Sequence, residues 1–548
     1  MTDERLKEGI SLNTLFGADR KTLTDAWWSL GENMRGQPRL LVELQHQLQQ
    51  KLFEIWFSDS DVPVPDDPRF ADPEWRENPF FKRLAQAYSA WSEVLDTWLE
   101  RSDLPGIERQ RAAFLIDAAK DAFAPVNSPI TPEAIRAAVE SRGESLLKGL
   151  QNFASDLQHN HGYPAVADRQ AFVVGEDVAN TPGKVVFRND IFELIQYQPT
   201  TRKVRKRPVL YVFSQVNRFY LGDLTSDRSL FRHLLDEGIQ VFAVSWKNPG
   251  KEQANWSLAT YADAVIEAIK VTRSITRMRK VDLMGLCAGG ITAAAAAGVL
   301  AARGADWVKS LSLFVTILDN QPGDSDFSLF ATDLSVEAQK ARVRAQGIMS
   351  ERDVLEMFAM LRLDENVFSF VRSNYFRGEP PLAHPLLYWS MDYTRVPAEM
   401  QCDLIDLGHR NALAEGKFQA LGETVDLSAI DYPVYISAGS KDHITPWPGC
   451  YRSVHLFGGE VIFVLSNQAH TQTISAKPNR HLRYWLRETL TEESDTWLAG
   501  ADEHEGDWRQ HWIKWLHSHS KKKDAPETLG SRRYPTLGDA PGQYVLES

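Results

Sequence analysis

Cysteine is scarce in this chain: Cys287, Cys402 and Cys450 are the three thiols in 548 residues. Three thiols cannot build a disulfide framework, and their spacing matches no metal site, so a reducing cytoplasm is the expected compartment. Long apolar runs are missing as well. The longest, near Ala293 to Ala302, falls short of the roughly 20 residues that a membrane span needs, so no transmembrane segment is expected. Met1-Thr-Asp-Glu-Arg-Leu-Lys7 is charged and lacks an apolar core, which argues against a signal peptide. Positive charge is in deficit. With 61 Lys and Arg against 73 Asp and Glu the net charge is −12, which speaks against a nucleic-acid partner. The basic run Arg202-Lys-Val-Arg-Lys-Arg207 stands before a strand and reads as a solvated edge. His159 and His161 have no third ligand in a recognisable pattern, so no metal is expected.

Hydrophobic residues make up 43% of the chain, enough for two folded units. Residues 1–190 read as a mainly helical N-terminal domain, with amphipathic stretches at Ala85 to Glu100 and Glu108 to Phe123 broken by the Pro-rich Val62 to Pro73. Residues 191–548 read as α/β. Strands at Val209 to Phe213, Ile239 to Trp246 and Val281 to Met284 alternate with helices at Leu230 to Glu237 and Tyr261 to Thr276, which predicts a parallel sheet covered by helices on both faces. After a strand near Trp307 to Leu318 the pattern lapses over 319–428, read as an inserted cap that controls access to the strand ends. It resumes at Tyr432 to Ala438 and Val461 to Ser466. The Trp-rich stretch from His481 to His519 reads as helices folded back on the domain, with its rings more often core than a site for an apolar ligand, and 521–548 reads as an extended tail.

Gly285-x-Cys287-x-Gly289 lies where an apolar strand meets an Ala-rich helix. A strand that turns sharply into a helix crowds the positions two residues either side of its tip, so glycine is needed there and the tip side chain alone stays open. This is a nucleophile elbow with cysteine at the tip, and a helix N-terminus favours negative charge on that sulfur. By itself the motif fits a buried structural cysteine equally well. Two further residues shift the balance: Asp442 follows one late strand and His470 the next, giving the order nucleophile, acid, histidine of α/β-hydrolase folds. Cys287, Asp442 and His470 are therefore the candidate catalytic set. His443 shares a turn with Asp442 and is poorly placed to be oriented by it. Cys402 and Cys450 are assigned to packing.

Longer motifs run along the chain: Arg69-Phe-Ala-Asp-Pro-Glu-Trp75 with Asn78-Pro79, Ala124-Pro-Val-Asn127, Gly183-Lys-Val-Val-Phe-Arg-Asn189, Phe192-Glu-Leu-Ile-Gln-Tyr197, Gly285-Leu-Cys-Ala-Gly-Gly290, Asp442-His-Ile-Thr-Pro-Trp447, Tyr451-Arg-Ser453 and Ala540-Pro-Gly-Gln-Tyr544. Together they resemble the polyhydroxyalkanoate synthases, of the single-subunit, medium-chain branch. The pattern departs at Phe213-Ser-Gln-Val-Asn217, where two prolines precede an Ile-Asn pair in the family, and at Ala469, where glycine is usual. Leu361-Arg-Leu-Asp-Glu-Asn366 and Trp389-Ser-Met-Asp392 stand in place of Pro-Asn-Asp and Trp-Asn-x-Asp. The resemblance implies an acyltransferase that polymerises (R)-3-hydroxyacyl-coenzyme A into polyester through a Cys287 thioester, with His470 as base and Asp442 orienting it or assisting.

Coenzyme A is then the leaving group, and no resident cofactor is implied. By analogy with the fold, the N–H groups of Ala288 and Val216, in the Gln215-Val216 loop, form the oxyanion site. The resemblance further implies a homodimer at the surface of cytoplasmic polyester granules, with the growing chain and granule-associated proteins as partners. Preferred acyl length stays open. Two alternatives also stay open: a cysteine thioesterase on the same scaffold, and a granule-binding paralogue without turnover.

Overall fold

The alternating apolar runs from Pro208 to Ser466 assemble into the centre of one eleven-stranded sheet. In chain order its strands are β1 Gly183–Arg188, β2 Phe192–Tyr197, β3 Pro208–Val212, β4 Gln240–Trp246, β5 Val281–Leu286, β6 Val308–Phe314, β7 Val434–Gly439, β8 Val461–Ser466, β9 Arg483–Leu486, β10 Asp502–Glu505 and β11 Gly538–Asp539. Across the sheet they run β10-β9-β8-β7-β6-β5-β3-β4-β2-β1-β11. From β8 to β4 every pairing is parallel, and the flanking pairings are antiparallel. β3, β4, β5 and β7 are buried at every residue, as expected of central strands covered on both faces, whose apolar residues run on without alternation. This computed structural model describes residues 11–13, 18–58, 60–324, 328–477, 479–518 and 520–547. The N-terminal heptapeptide and His519 lie outside them.

Register places the chemistry. Val212 pairs with Gly285, Leu286 with Phe314, and Gly439 with Ser466, so the loops after β3, β5, β6, β7 and β8 leave one edge of the sheet side by side.

The stretch expected to fold back as helices carries two strands as well. β9 pairs along β8 and β10 along β9, which covers a sheet edge that would otherwise be open. Trp508 and Trp512 are core, as expected: both rings pack edge-on against Phe314, and their indole N–H groups donate to Thr473 O at 3.2 Å and Ser312 Oγ at 2.9 Å. The tail is anchored. Lys522–Asp524 pairs antiparallel with Lys203–Arg205, and β11 closes the far edge beside β1. Within the basic run, Arg207 is bound to the carboxylate of Asp282 at 3.1 Å.

Chain contacts divide the molecule into two units, one of them the sheet with its helices, the other built mainly from 18–168 together with 355–384. In the second, helices Pro38–Phe57, Pro79–Arg101, Gly106–Phe123, Pro132–Glu140 and Glu144–His159 accompany a core of Phe70, Trp75, Phe81, Ala85, Ala124 and Val126. Residues 355–384, from the middle of the inserted segment, are sewn into this helical unit. Asp364 bonds Arg69 at 3.1 Å, Arg372 donates to Asn127 Oδ1, Asn152 donates to Asn374 O at 2.9 Å, and Tyr375 OH donates to Asp156 at 2.9 Å. Among the described residues no helix is long and apolar enough to cross a membrane.

Candidate active site

β5 ends at Leu286 and the helix Ala288–Ala302, here α1, begins one residue later, so Cys287 alone makes the turn. Its φ of 51° and ψ of −129° are a conformation that a residue with a side chain adopts only under strain, of about 1–3 kcal/mol. The flanking glycines are there for space. A Cβ on Gly289 would lie 2.4 Å from the backbone carbon of Phe213, and one on Gly285 would lie 2.6 Å from Gly290 Cα. The elbow can therefore close only if both positions lack a side chain. Cys287 is half-buried, whereas Cys402 and Cys450 are buried.

Asp442 sits in the turn after β7 and His470 beyond β8. His470 Nδ1 lies 2.7 Å from Asp442 Oδ2, which leaves Nε2 to face the elbow. The carboxylate is fully engaged: Ile444 N–H and Thr445 N–H each donate to Oδ1 at 2.9 Å, and Thr445 Oγ1 donates to Oδ2 at 2.8 Å. Burial alone would raise the pKa of Asp442, but the charge and hydrogen bond of His470, with the Thr445 donors, hold it below the usual carboxylate range. Burial alone would likewise lower the pKa of His470. The charges of Asp442 and Cys287, and hydrogen bonds to both, instead raise it to about 10. The three side chains thus form one coupled unit, with His470 between the thiol and the acid.

Cys450 sits closer to this unit than a packing role suggests. Its Sγ lies 3.5 Å from Thr445 O, and burial, with the charges of Asp442 and Cys287 in range, pushes its thiol well up. That keeps it protonated and inert beside the reactive set.

Ala288 is the first residue of α1, so its N–H has no acceptor within the helix. The N–H of Val216 donates to Ser214 Oγ at 3.1 Å. The loop that carries Val216 is bound on every side: Phe213 O accepts from Trp246 Nε1 at 2.9 Å, Gln215 O from Thr394 Oγ1 at 2.6 Å, Val216 O from Thr394 N–H at 3.0 Å and Arg218 O from Trp389 Nε1 at 2.8 Å. Asp392 takes Arg218 at 3.2 Å and Tyr220 OH at 2.7 Å, and Arg218 also donates to Tyr544 O at 3.1 Å.

Comparison with known proteins agrees with this architecture. Residues 66–234 match the family described as "Poly-beta-hydroxybutyrate polymerase (PhaC) N-terminus", and residues 220–474 match the alpha/beta hydrolase fold. Poly(3-hydroxyalkanoate) polymerase 2 of Ectopseudomonas oleovorans is 41% identical over 88% of this chain and 87% of its own length. The chain belongs to the poly(3-hydroxyalkanoate) polymerase family. Polymerase 1 of the same organism is 36% identical over 98% of this chain and 97% of its own, and the polymerase subunit PhaC of Cupriavidus necator is 36% identical over 87% and 83%. The fold expected from the order of strands and helices is thus that of an α/β-hydrolase-like polymerase.

Within this polymerase-family chain, sequence reasoning passed over Thr445 and Thr394. Thr445 had a local signal: a threonine three residues after an aspartate at a strand end is a common carboxylate-capped turn. Thr394 had none, since it meets Gln215 from 179 residues away.

Proposed function

We propose that the protein polymerises (R)-3-hydroxyacyl-coenzyme A into polyester, with Cys287 carrying the acyl chain. The observation behind this reading is the coupled Cys287–His470–Asp442 unit at the elbow of a chain from this family. His470, oriented by Asp442 through Nδ1, holds the proton given up by the Cys287 thiol, as the imidazolium that its raised pKa favours. The thiolate attacks the thioester carbonyl, and the oxyanion accepts hydrogen bonds from the N–H groups of Ala288 and Val216. The bond to the coenzyme A sulfur breaks, the proton on His470 passes to that sulfur, and the acyl group rests on Cys287. The 3-hydroxyl of an incoming unit then gives its proton to His470 and attacks the acyl-cysteine, forming an ester and restoring the thiolate. One thioester replaces another in the first half, so the acyl group is held at little cost in free energy. A thiol, an imidazole and a carboxylate suffice for both halves, and no resident cofactor enters the scheme.

The setting we propose is a homodimer at the surface of a cytoplasmic polyester granule. Helix Glu144–His159 supports a surface-bound setting: it buries Ser145, Gly149 and Asp156 and turns Leu146, Leu150 and Leu157 outward, at 58%, 64% and 55% exposure. An apolar face of that kind calls for an apolar partner.

The test is to incubate the purified protein with 3-hydroxybutyryl-coenzyme A and follow free thiol and insoluble polyester together. Thiol with polymer is expected. Thiol with free 3-hydroxy acid would mean a thioesterase, and no thiol a binding role.

A further inference from the structure

We infer that Thr394 is a positioning residue for the oxyanion site, acting through the Gln215–Val216 peptide. The inference rests on the acyl-transfer reading above. A trans peptide is planar, and its C=O and N–H point in opposite directions, so whatever holds the carbonyl of one residue also aims the N–H of the next. Thr394 Oγ1 donates to Gln215 O at 2.6 Å and thereby sets the direction of the Val216 N–H. The backbone N–H of Thr394 donates to Val216 O at 3.0 Å, so one residue holds the peptide planes on both sides of Val216. Both Thr394 and Gln215 are 3% exposed, where water cannot take over these bonds.

A second tie registers this loop against the elbow. Gln215 Nε2 donates to Thr292 Oγ1 at 2.9 Å, and Thr292 Oγ1 donates to Ala288 O at 3.1 Å. The two proposed oxyanion donors, Val216 in the loop after β3 and Ala288 at the start of α1, come from separate segments, and this relay sets the spacing between them. At rest the Val216 N–H is occupied by Ser214 Oγ at 3.1 Å, an acceptor that swings away by rotation about a single side-chain bond. Thr394 keeps the N–H aimed while Ser214 gives way to the oxyanion. In this way hydrogen bonds brace the loop.

Thr394→Val keeps the side-chain shape and removes the hydroxyl, while Thr394→Ser retains it. Removing an oxyanion donor costs roughly 10²–10³ in kcat, and a misaimed donor should forfeit part of that, about tenfold. The measurement is steady-state release of coenzyme A from 3-hydroxybutyryl-coenzyme A, with the melting temperature of each variant. Expected are a fall in kcat of about tenfold or more for Thr394→Val, KM within about twofold of wild type, and recovery of most of the rate in Thr394→Ser. Thr394→Ala takes the place of the valine variant if the latter does not fold. A kcat within twofold of wild type overturns the inference. So does a serine variant as slow as the valine one, or a loss shared between kcat and KM, because either would mark a general disturbance of packing. Wild-type protein that releases no coenzyme A sinks the acyl-transfer reading itself, a different result from an active wild type indifferent to residue 394.

Discussion

His470 Nδ1 and Asp442 Oδ2 stand 2.7 Å apart, and the hydroxyl of Thr445 touches both, at 3.1 Å and 2.8 Å. The acid is therefore committed to one histidine through a turn that its own chain closes. Asp442→Asn should remove most coenzyme A release, whereas the neighbouring His443→Gln should cost much less. The two rates, measured side by side, check the assignment, and the reverse ranking would mean that the wrong histidine has been named.

The same pair has a pH signature. His470 is raised from its ordinary 6.5 to about 10, so its stabilising contribution is complete below 6.5 and fades as pH climbs toward 10. Asp442 is held below its ordinary 3.8, so its contribution is complete above that value and fades as pH falls through the lower folded one. The drop in melting temperature caused by Asp442→Asn should be greatest near pH 5 to 6 and shrink toward pH 9.5. A drop that widened with rising pH would contradict the pairing.

Cys287 trades stability for position. Cys287→Ala should abolish thiol release without unfolding the protein, and residual turnover above about a thousandth of wild type would count against its role as nucleophile. Cys287→Gly should go further. With φ at 51°, glycine relieves backbone strain, and the melting temperature should rise, by the equivalent of about 1 kcal/mol, in a protein that no longer turns over.

Close approach in the helical unit gives a test of packing. A Cβ on Gly149 would lie 1.9 Å from the carbonyl oxygen of Tyr375, so Gly149→Ala must push the 355–384 segment off helix Glu144–His159. Thermal melting should show a clear loss. Gly31→Ala, in helix Arg20–Gly36, is the control, since nothing lies within 4 Å of a Cβ there and the change favours the helix by about 0.5–1 kcal/mol.

The outward leucines test the granule setting. Leu146→Gln with Leu150→Gln removes apolar surface that is already exposed, so folding and coenzyme A release from soluble substrate should hold while sedimentation with polyester particles falls. Unchanged sedimentation would move the contact elsewhere.

The amino-acid sequence by itself determined the elbow, because a strand–glycine–cysteine–glycine–helix run shows it directly: Gly285 is required by backbone a few residues on, at Gly289 and Gly290, although the crowding at Gly289 comes from Phe213, which only the sheet brings near. It also determined the order of Cys287, Asp442 and His470, since each follows an apolar strand whose pattern is readable by eye. Tertiary structure alone decided the rest. The commitment of Thr394 to Gln215, the edge strand made by Gly538–Asp539, the two strands within the Trp-rich stretch and the union of 355–384 with the helical unit all join segments far apart in the chain. Single hydrogen bonds and two- to four-residue strands leave no periodic trace in a sequence, so their partners become visible only when the sheet has brought the loop ends together.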